Sequence, residues 1–451
     1  SAEANTDAPA DGNAAQAESG EQSEQGTEAA EDGETRGDKR NANGNDRNGQ
    51  RSTRTRQRER KRRGQGEDFE PEIGEDDVLL PIAGILDVLD NYAFVRTSGY
   101  LPGTGDVYVS LCQVKKYGLR KGDAVVGAIR QPREGEGGGR QKYNAIVRFD
   151  TVNSRPAEEN GTRADFADFT PIHPTERLRV ETESGGLTPR VMDLFAPIGK
   201  GQRGLIVGPH ESGKSTALRA ILPAIAAHHA DAHLMLVLID ERPEEVTELQ
   251  RTVNGEVIAS TFDRPSEDHV TVAELAVERA KRLVELGHDV ILLIDSLTSL
   301  ARAFNVLAPT ASRLPAGDLD AAALFPVKKL LGAARNVENG GSLTIIGTVS
   351  AQPGSRVDEA VIGELEATAN MQLRLNGDAA ERRVFPAIEL SASSTRRADL
   401  ITGEAESRVM DQLRRSLGGQ NATEALEAVL ARLEGTATNA EFLALAQRAQ
   451  A

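Results

Sequence analysis

Between residues 67 and 152 apolar and polar positions alternate in short runs, "ILDVL", "YAFVR", "DVYVS", "AVVGAIR" and "YNAIVRF", separated by the turn-forming "PGTG", "KGD" and "PREGEGGG". Period-two alternation broken by turns at this spacing predicts short strands of a small β-barrel, for which the OB-fold is the natural candidate. Residues 153–177, with the Pro-rich "RPAEENGTRADFADFTPIHP", read as a linker. From residue 178 to 451 the pattern changes. Continuous apolar runs such as "RGLIVG", "HLMLVLID", "VILLIDS" and "SLTIIGTV" alternate with helical stretches, including the amphipathic "VTVAELAVERAKRLVELG". Buried strands alternating with helices predict a parallel α/β sheet, closed by a helical C-terminus.

Residues 1–66 contain no Val, Ile, Leu, Phe, Met or Tyr, so this tail has nothing with which to bury a core and is expected to be disordered. Its charge is split. Residues 1–35 carry acids and no bases, and "KRNANGNDRNGQRSTRTRQRERKRRG" follows, dominated by arginine. The run reads either as a solvated tail or as an arm holding nucleic-acid phosphates. The formal net charge of −16 over 451 residues therefore does not exclude a nucleic-acid partner, because binding follows where cations cluster rather than their sum. Cys112 is the only cysteine, which excludes an intramolecular disulfide framework and a multi-cysteine zinc site. The longest apolar runs, "LMLVLI" and "VILLI", are too short to span a bilayer, and the expectation is a cytoplasmic protein without a membrane partner.

Within "LDNYAFVRTSGY", an extended strand sets Tyr92, Phe94 and Arg96 on one face and Asn91, Ala93 and Val95 on the other. The rings are either core or an exposed platform for flat ligands, and the stretch alone leaves both readings open.

"GPHESGKS", running Gly208, Pro209, His210, Glu211, Ser212, Gly213, Lys214, Ser215 and followed by Thr216, matches the P-loop pattern and stands between a predicted strand and a predicted helix. There glycines let backbone N–H groups approach phosphate oxygens, Lys214 reaches the outer phosphates of ATP, and Ser215 ligates Mg²⁺. An acidic partner is expected at a neighbouring strand end. Asp295 is assigned to the metal and Glu241, beside Asp240, to polarising the attacking water, a division that spacing alone does not prove. Arginines near the C-terminal end, Arg374, Arg382, Arg383, Arg396 and Arg397, are candidates for phosphoryl-transfer chemistry, and the pattern does not single one out.

The ordered run "RGLIVGPHESGKS", "LVLIDERPEEVTELQR", "DVILLIDSLTSLARAFN", "GAARNVENGGSLTIIGTV" and "RRVFPAIELSASSTRR", with "NYAFVR" upstream, resembles the family of transcription termination factor Rho. The resemblance implies a hexameric, RNA-dependent ATPase and helicase in which an OB-fold precedes a RecA-like P-loop motor. It further implies that such a ring acts on pyrimidine-rich single-stranded RNA and meets RNA polymerase. By position, Tyr92, Phe94, Arg96 and Tyr108 match the primary RNA site. Glu241 matches the catalytic base, Asp295 the second acidic motif and Phe385 a ring beside the adenine. Arg396 matches a finger reaching a neighbour's ATP, and Arg242 and Arg383 match charged pocket positions. Arg313 and Arg356 fall in loops resembling the central-pore RNA site. Glu211 stands where the family's P-loop carries lysine, and the short helical subdomain that often precedes the barrel is replaced by the acidic-then-basic tail. The alternatives are another RecA-like ring ATPase, such as a rotary ATP synthase subunit, and a non-catalytic RNA-binding module.

Overall fold

The chain divides into two units, Ser1–Glu67 and Asp68–Ala451. The computed structural model describes residues 77–131, 143–183, 186–309 and 319–450, all within the second unit, so the expectations for the tail and for Arg313 lie outside the described residues.

The first element group is a barrel of β1 (Leu79–Val88), β2 (Ala93–Arg96), β3 (Val107–Val109), β4 (Ala124–Arg130), β5 (Asn144–Val152) and the short β6 (Arg155–Pro156), with α1 (Leu111–Lys116) between β3 and β4. The order is β3-β2-β1-β4-β5-β6, and a parallel pairing of β3 with β5 closes it. This is the OB topology. Closure leaves one inward face per strand, and Leu86, Ala93, Val95, Val107, Val109, Val125, Ile146 and Val152 fill it. β3 gives way to Ser110, the N-cap of α1, whose hydroxyl accepts from Gln113 N in a capping box.

The stretch read as a linker carries β6, two 3-10 turns and β7 (Pro171–Ile172), and β7 pairs with β14 (Arg335–Val337) of the motor. A two-stranded ribbon, β8 (Arg177–Leu178) with β9 (Ile198–Gly199), frames α2 (Leu187–Phe195). The main sheet then comprises β10 (Arg203–Gly208), β11 (His233–Glu241), β12 (Glu256–Thr261), β13 (Asp289–Asp295), β15 (Ser342–Ser350), β16 (Met371–Arg374) and β17 (Ser394–Thr395). Its order is β12-β11-β13-β15-β10-β16-β17, parallel through β16 and antiparallel at β17.

Helices cover both faces, as continuous apolar strands require. They are α3 (Lys214–Arg219), α4 (Leu222–His228), α5 (Pro243–Thr252), α6 (Ser266–Glu285), α7 (Leu297–Leu307), α8 (Ala321–Leu331), α9 (Arg356–Glu366) and α10 (Gly377–Glu381). On one face α6 buries Val272, Ala273, Ala276, Val277, Ala280 and Leu283. On the other face lie α2, the P-loop helix and the C-terminal α11 (Glu404–Leu417), α12 (Ala422–Glu434) and α13 (Asn439–Gln450). Among the described residues no helix is long and apolar enough to cross a membrane.

Candidate functional site

Two clusters of chemistry stand apart on this frame, and the first is on the barrel. Ala93 and Val95 are fully buried, so the alternate residues of β2 point outward, and Tyr92 is 44% exposed. Register sets Phe94 opposite Tyr108 on β3. The rings meet edge to face: Phe94 lies 5.6 Å from Tyr92, 6.0 Å from Tyr108 and 4.8 Å from Tyr143. Tyr143 was absent from the expected set. Its signal was the aromatic opening "YNAIVRF", but its approach to Phe94 depends on closure of the barrel.

Arg96, which the resemblance matches to the primary RNA site, is buried beneath the rings' face rather than open. It is 6% exposed. Its Nε and Nη2 donate to Asp87 Oδ2 (3.2 and 2.5 Å) and its Nη1 donates to Asp106 Oδ2 (2.7 Å). A guanidinium buried this far needs such partners, because an uncompensated charge there is costly. Its guanidinium carbon lies 5.5 Å from the Phe94 centroid, against the ring platform.

The second cluster lies at the carboxyl edge of the main sheet. At Gly208, which ends β10, a Cβ would come 2.5 Å from Ser212 Oγ and 2.8 Å from Leu375 Cβ, so only glycine fits. The loop then turns through positive φ at Glu211 (60°) and Gly213 (93°), conformations that aim successive backbone N–H groups to one side. Ser212 Oγ and Lys214 Nζ donate to the Pro209 carbonyl at 2.8 and 2.7 Å. Burial pushes the Lys214 ammonium down, while Asp295 and Asp358 pull it back in part. A partly buried cation held by a loop carbonyl suits an incoming anion. Ser215 follows it in the first turn of α3, and Thr216 is exposed.

Asp295 ends β13, is 8% exposed and accepts from Thr348 Oγ1 at 2.5 Å. On β11 an irregularity between Ile239 and Glu241 turns Asp240 outward at φ 66°, where it accepts from Ser299 Oγ at 3.2 Å. A bulge of this kind re-aims the next side chain. Burial pushes the Glu241 carboxyl up, and the nearby charge of Asp295 adds to this against the Arg242 N–H that Glu241 Oε1 accepts at 3.1 Å. Phe385 is 44% exposed, with a ring carbon 4.0 Å from where a Gly213 Cβ would stand, so it flanks the P-loop. Arg242 caps α5, and Arg383 takes φ 63°; both are exposed.

Arg396 is not brought to this phosphate loop. Its N–H donates to the Asn370 carbonyl at 2.8 Å, and Asn370 N donates to the carbonyl of Arg203, the first residue of β10. By strand rise that end of β10 is about 16 Å from Gly208. Arg356 begins α9 and is exposed. The loop before it touches the P-loop directly: Ala351 N donates to Gly208 O at 2.9 Å and His210 N to Gln352 Oε1 at 3.3 Å. Gln352 is a contact that motif spacing did not reveal.

Comparison with known proteins follows the same division. Residues 82–158 match the family described as Rho termination factor, RNA-binding domain, and residues 188–395 match the ATP synthase alpha/beta family, nucleotide-binding domain. A transcription termination factor Rho of Micrococcus luteus is 57% identical over 386 residues, 84% of this chain and 56% of that protein. One from Streptomyces lividans is 55% identical over 84% of this chain and 53% of that protein. One from Streptosporangium roseum is 51% identical over 83% of this chain and 94% of that protein. The chain thus spans little more than half the length of the first two. A solved ATPase from a bacterial type III secretion system overlaps with a TM-score of 0.50 at 22% identity, covering 61% of this chain and 86% of that one, a likeness of fold alone.

Proposed function

Since the chain belongs to the family of transcription termination factor Rho, we propose that it is an RNA-dependent ATPase that translocates along single-stranded, pyrimidine-rich RNA and terminates transcription. The observation that carries this reading is the outward ring face of β2, joined in one unit to a P-loop. Bases stack on such rings with little demand on sequence, each worth about 1–3 kcal/mol. Arg96, locked between Asp87 and Asp106, fixes the platform rather than gripping phosphate.

At the other cluster ATP is the substrate. Its phosphates lie in the Gly208–Ser215 loop, Lys214 exchanges the Pro209 carbonyl for an outer phosphate, and Phe385 flanks the base. The oxygen donors available, the Ser215 hydroxyl and the Asp295 carboxylate, suit a hard cation, and among the described residues no cluster of three or more His, Cys, Asp or Glu offers another metal site. Ser215 and Asp295 would hold Mg²⁺ there, and the ion would offset the charge of the phosphates. Glu241, its carboxyl raised by burial, is the base that orients the attacking water. Arg396, remote from its own loop, serves the ATP of a second copy, with Arg242 and Arg383 at the pocket's rim. In the six-membered ring that the family resemblance implies, RNA threads past Arg313 and Arg356 in the cytoplasm, and the ring meets RNA polymerase.

The test is the steady-state rate of ATP hydrolysis with and without polycytidylate. Stimulation is expected. Equal rates would sink the reading and favour a rotary ATP synthase-type ATPase, for which an exposed ring platform has no use.

A further inference from the structure

The loop between the two ring-bearing strands, Thr97–Asp106, does not stay on the barrel. Tyr100 and Leu101 pack against the hydrophobic core of the motor, beside the helix face that covers β11 and β12. The Tyr100 hydroxyl donates to Glu256 Oε2 at 2.5 Å, and Glu256 Oε1 lies 2.8 Å from His233 Nε2. Glu256 opens β12 and His233 opens β11, so one carboxylate ties the barrel loop to both strands at the edge of the main sheet. Burial alone would push the Glu256 carboxyl up, yet the hydrogen bonds from His233 and Tyr100 hold it below the usual range. The contact is therefore charge-assisted and sheltered.

The other end of this loop is fixed to the ring platform. Asp106 accepts from Arg96 Nη1 at 2.7 Å, from Gly103 N at 2.8 Å and from Thr97 N at 3.4 Å. Arg96 is two residues from Phe94, and Asp106 two from Tyr108. Rings that adjust around a base therefore move both ends of the loop together, and Tyr100 with them. The rest of the barrel cannot follow freely. The Gly122 turn (φ 89°) sits so close to α6 that a Cβ there would meet Arg279 N at 2.5 Å, and Arg120 pairs with Glu285 at 3.1 Å. With the barrel seated on α6, the Tyr100 loop is the part left to carry a change from the rings into the sheet. The strand it reaches, β11, bears Glu241 at its far end.

Resting on the RNA-dependent ATPase reading, we propose that Tyr100 is a positioning residue: its hydrogen bond to Glu256 transmits occupancy of the ring platform to the edge strands that place Glu241. The role is energetic coupling between two sites, separable from affinity at either one.

The test uses the full chain and three variants, Tyr100→Phe, Glu256→Gln and both together, each keeping side-chain size. ATP hydrolysis is measured with and without saturating polycytidylate, and oligocytidylate affinity by fluorescence anisotropy. For Tyr100→Phe, stimulation is expected to fall about fivefold or more, with unstimulated turnover and oligonucleotide affinity each within about twofold of the parent. The double variant is expected to lose no more than the worse single one, because both remove one shared contact. Parental stimulation in Tyr100→Phe, or a loss that vanishes once affinity is matched, overturns the proposal. A parent chain that polycytidylate fails to stimulate overturns the functional reading instead, so the two failures are distinct.

Discussion

The ring platform and the phosphate loop are both recognition surfaces, but they are made of different parts. The platform is four side chains, Tyr92, Phe94, Tyr108 and Tyr143, brought from separate stretches by strand register and barrel closure. The phosphate loop is eight consecutive residues whose backbone is bent by Gly208, Glu211 and Gly213, with a single ammonium, Lys214, at its exit. Side chains on an open face contribute in increments, since each ring stacks on its own. A backbone cradle with one cation has no such redundancy. The platform should therefore fail by degrees and the loop all at once.

The largest effects are expected in ATP turnover. Lys214→Ala should lower ATP turnover by at least about a hundredfold, the scale of losing one oriented group that meets transition-state charge. Parental turnover would refute the phosphate assignment. Arg396→Ala should cost about a thousandfold. Arg396 stands beside Arg203, at the opposite end of β10 from Gly208, and on the proposal that it serves a neighbour's ATP the two defects fall in different copies at any one site. Mixing inactive Lys214→Ala with inactive Arg396→Ala chains should restore turnover, as sites with both groups intact re-form. Mixtures as inactive as either parent would place the arginine's action elsewhere.

Glu241 sharpens the contrast, since its task depends on protonation. A base must be ionised to act, and burial with the nearby Asp295 raises this carboxyl. Activity is then lost as pH falls through that raised value, so the acid limb of the pH–rate profile should lie above the roughly 4.3 of an ordinary glutamate. Glu241→Gln should remove that limb and lower turnover by about 10²–10⁴-fold. An acid limb at the ordinary carboxylate position, or one that survives the substitution, would count against Glu241 as the base.

How far each region was legible in the sequence follows from the same difference. The phosphate loop is contiguous, so spacing between a strand and a helix carried the whole motif, and the strand-end positions of Asp295 and Glu241 followed from the apolar runs before them. The two faces of β2 were equally open to period-two reasoning, and Ala93 and Val95 are indeed the inward pair. Contacts that need closure were out of reach. Tyr143 joins Phe94 only because β3 pairs with β5 in parallel. The burial of Arg96 was not visible because Asp87 and Asp106, which enclose it, lie 9 and 10 residues away, on β1 and in the loop before β3. Nor could a one-dimensional pattern put Tyr100 of the barrel on Glu256 of the motor, 156 residues on.

Smaller effects belong to the platform. Phe94→Ala removes the ring that touches the other three and should weaken oligocytidylate binding by about 1–3 kcal/mol. Tyr143→Ala should lose a comparable amount, and both should leave nucleotide binding at the P-loop unchanged. An unaltered affinity for Phe94→Ala would remove the platform from RNA recognition.

The smallest expected effect is also the most discriminating. Tyr92 is the most exposed of the four rings and meets Phe94 edge to face at 5.6 Å. If bases are held by stacking, Tyr92→Phe keeps everything that matters and should change oligocytidylate affinity by less than about twofold, whereas Tyr92→Leu, apolar but without a π-face, should lose about 1 kcal/mol or more. If the hydroxyl reads a base edge instead, the difference vanishes, with phenylalanine as damaging as leucine. The pair of substitutions thus asks whether the platform works by its faces or by its polar rim.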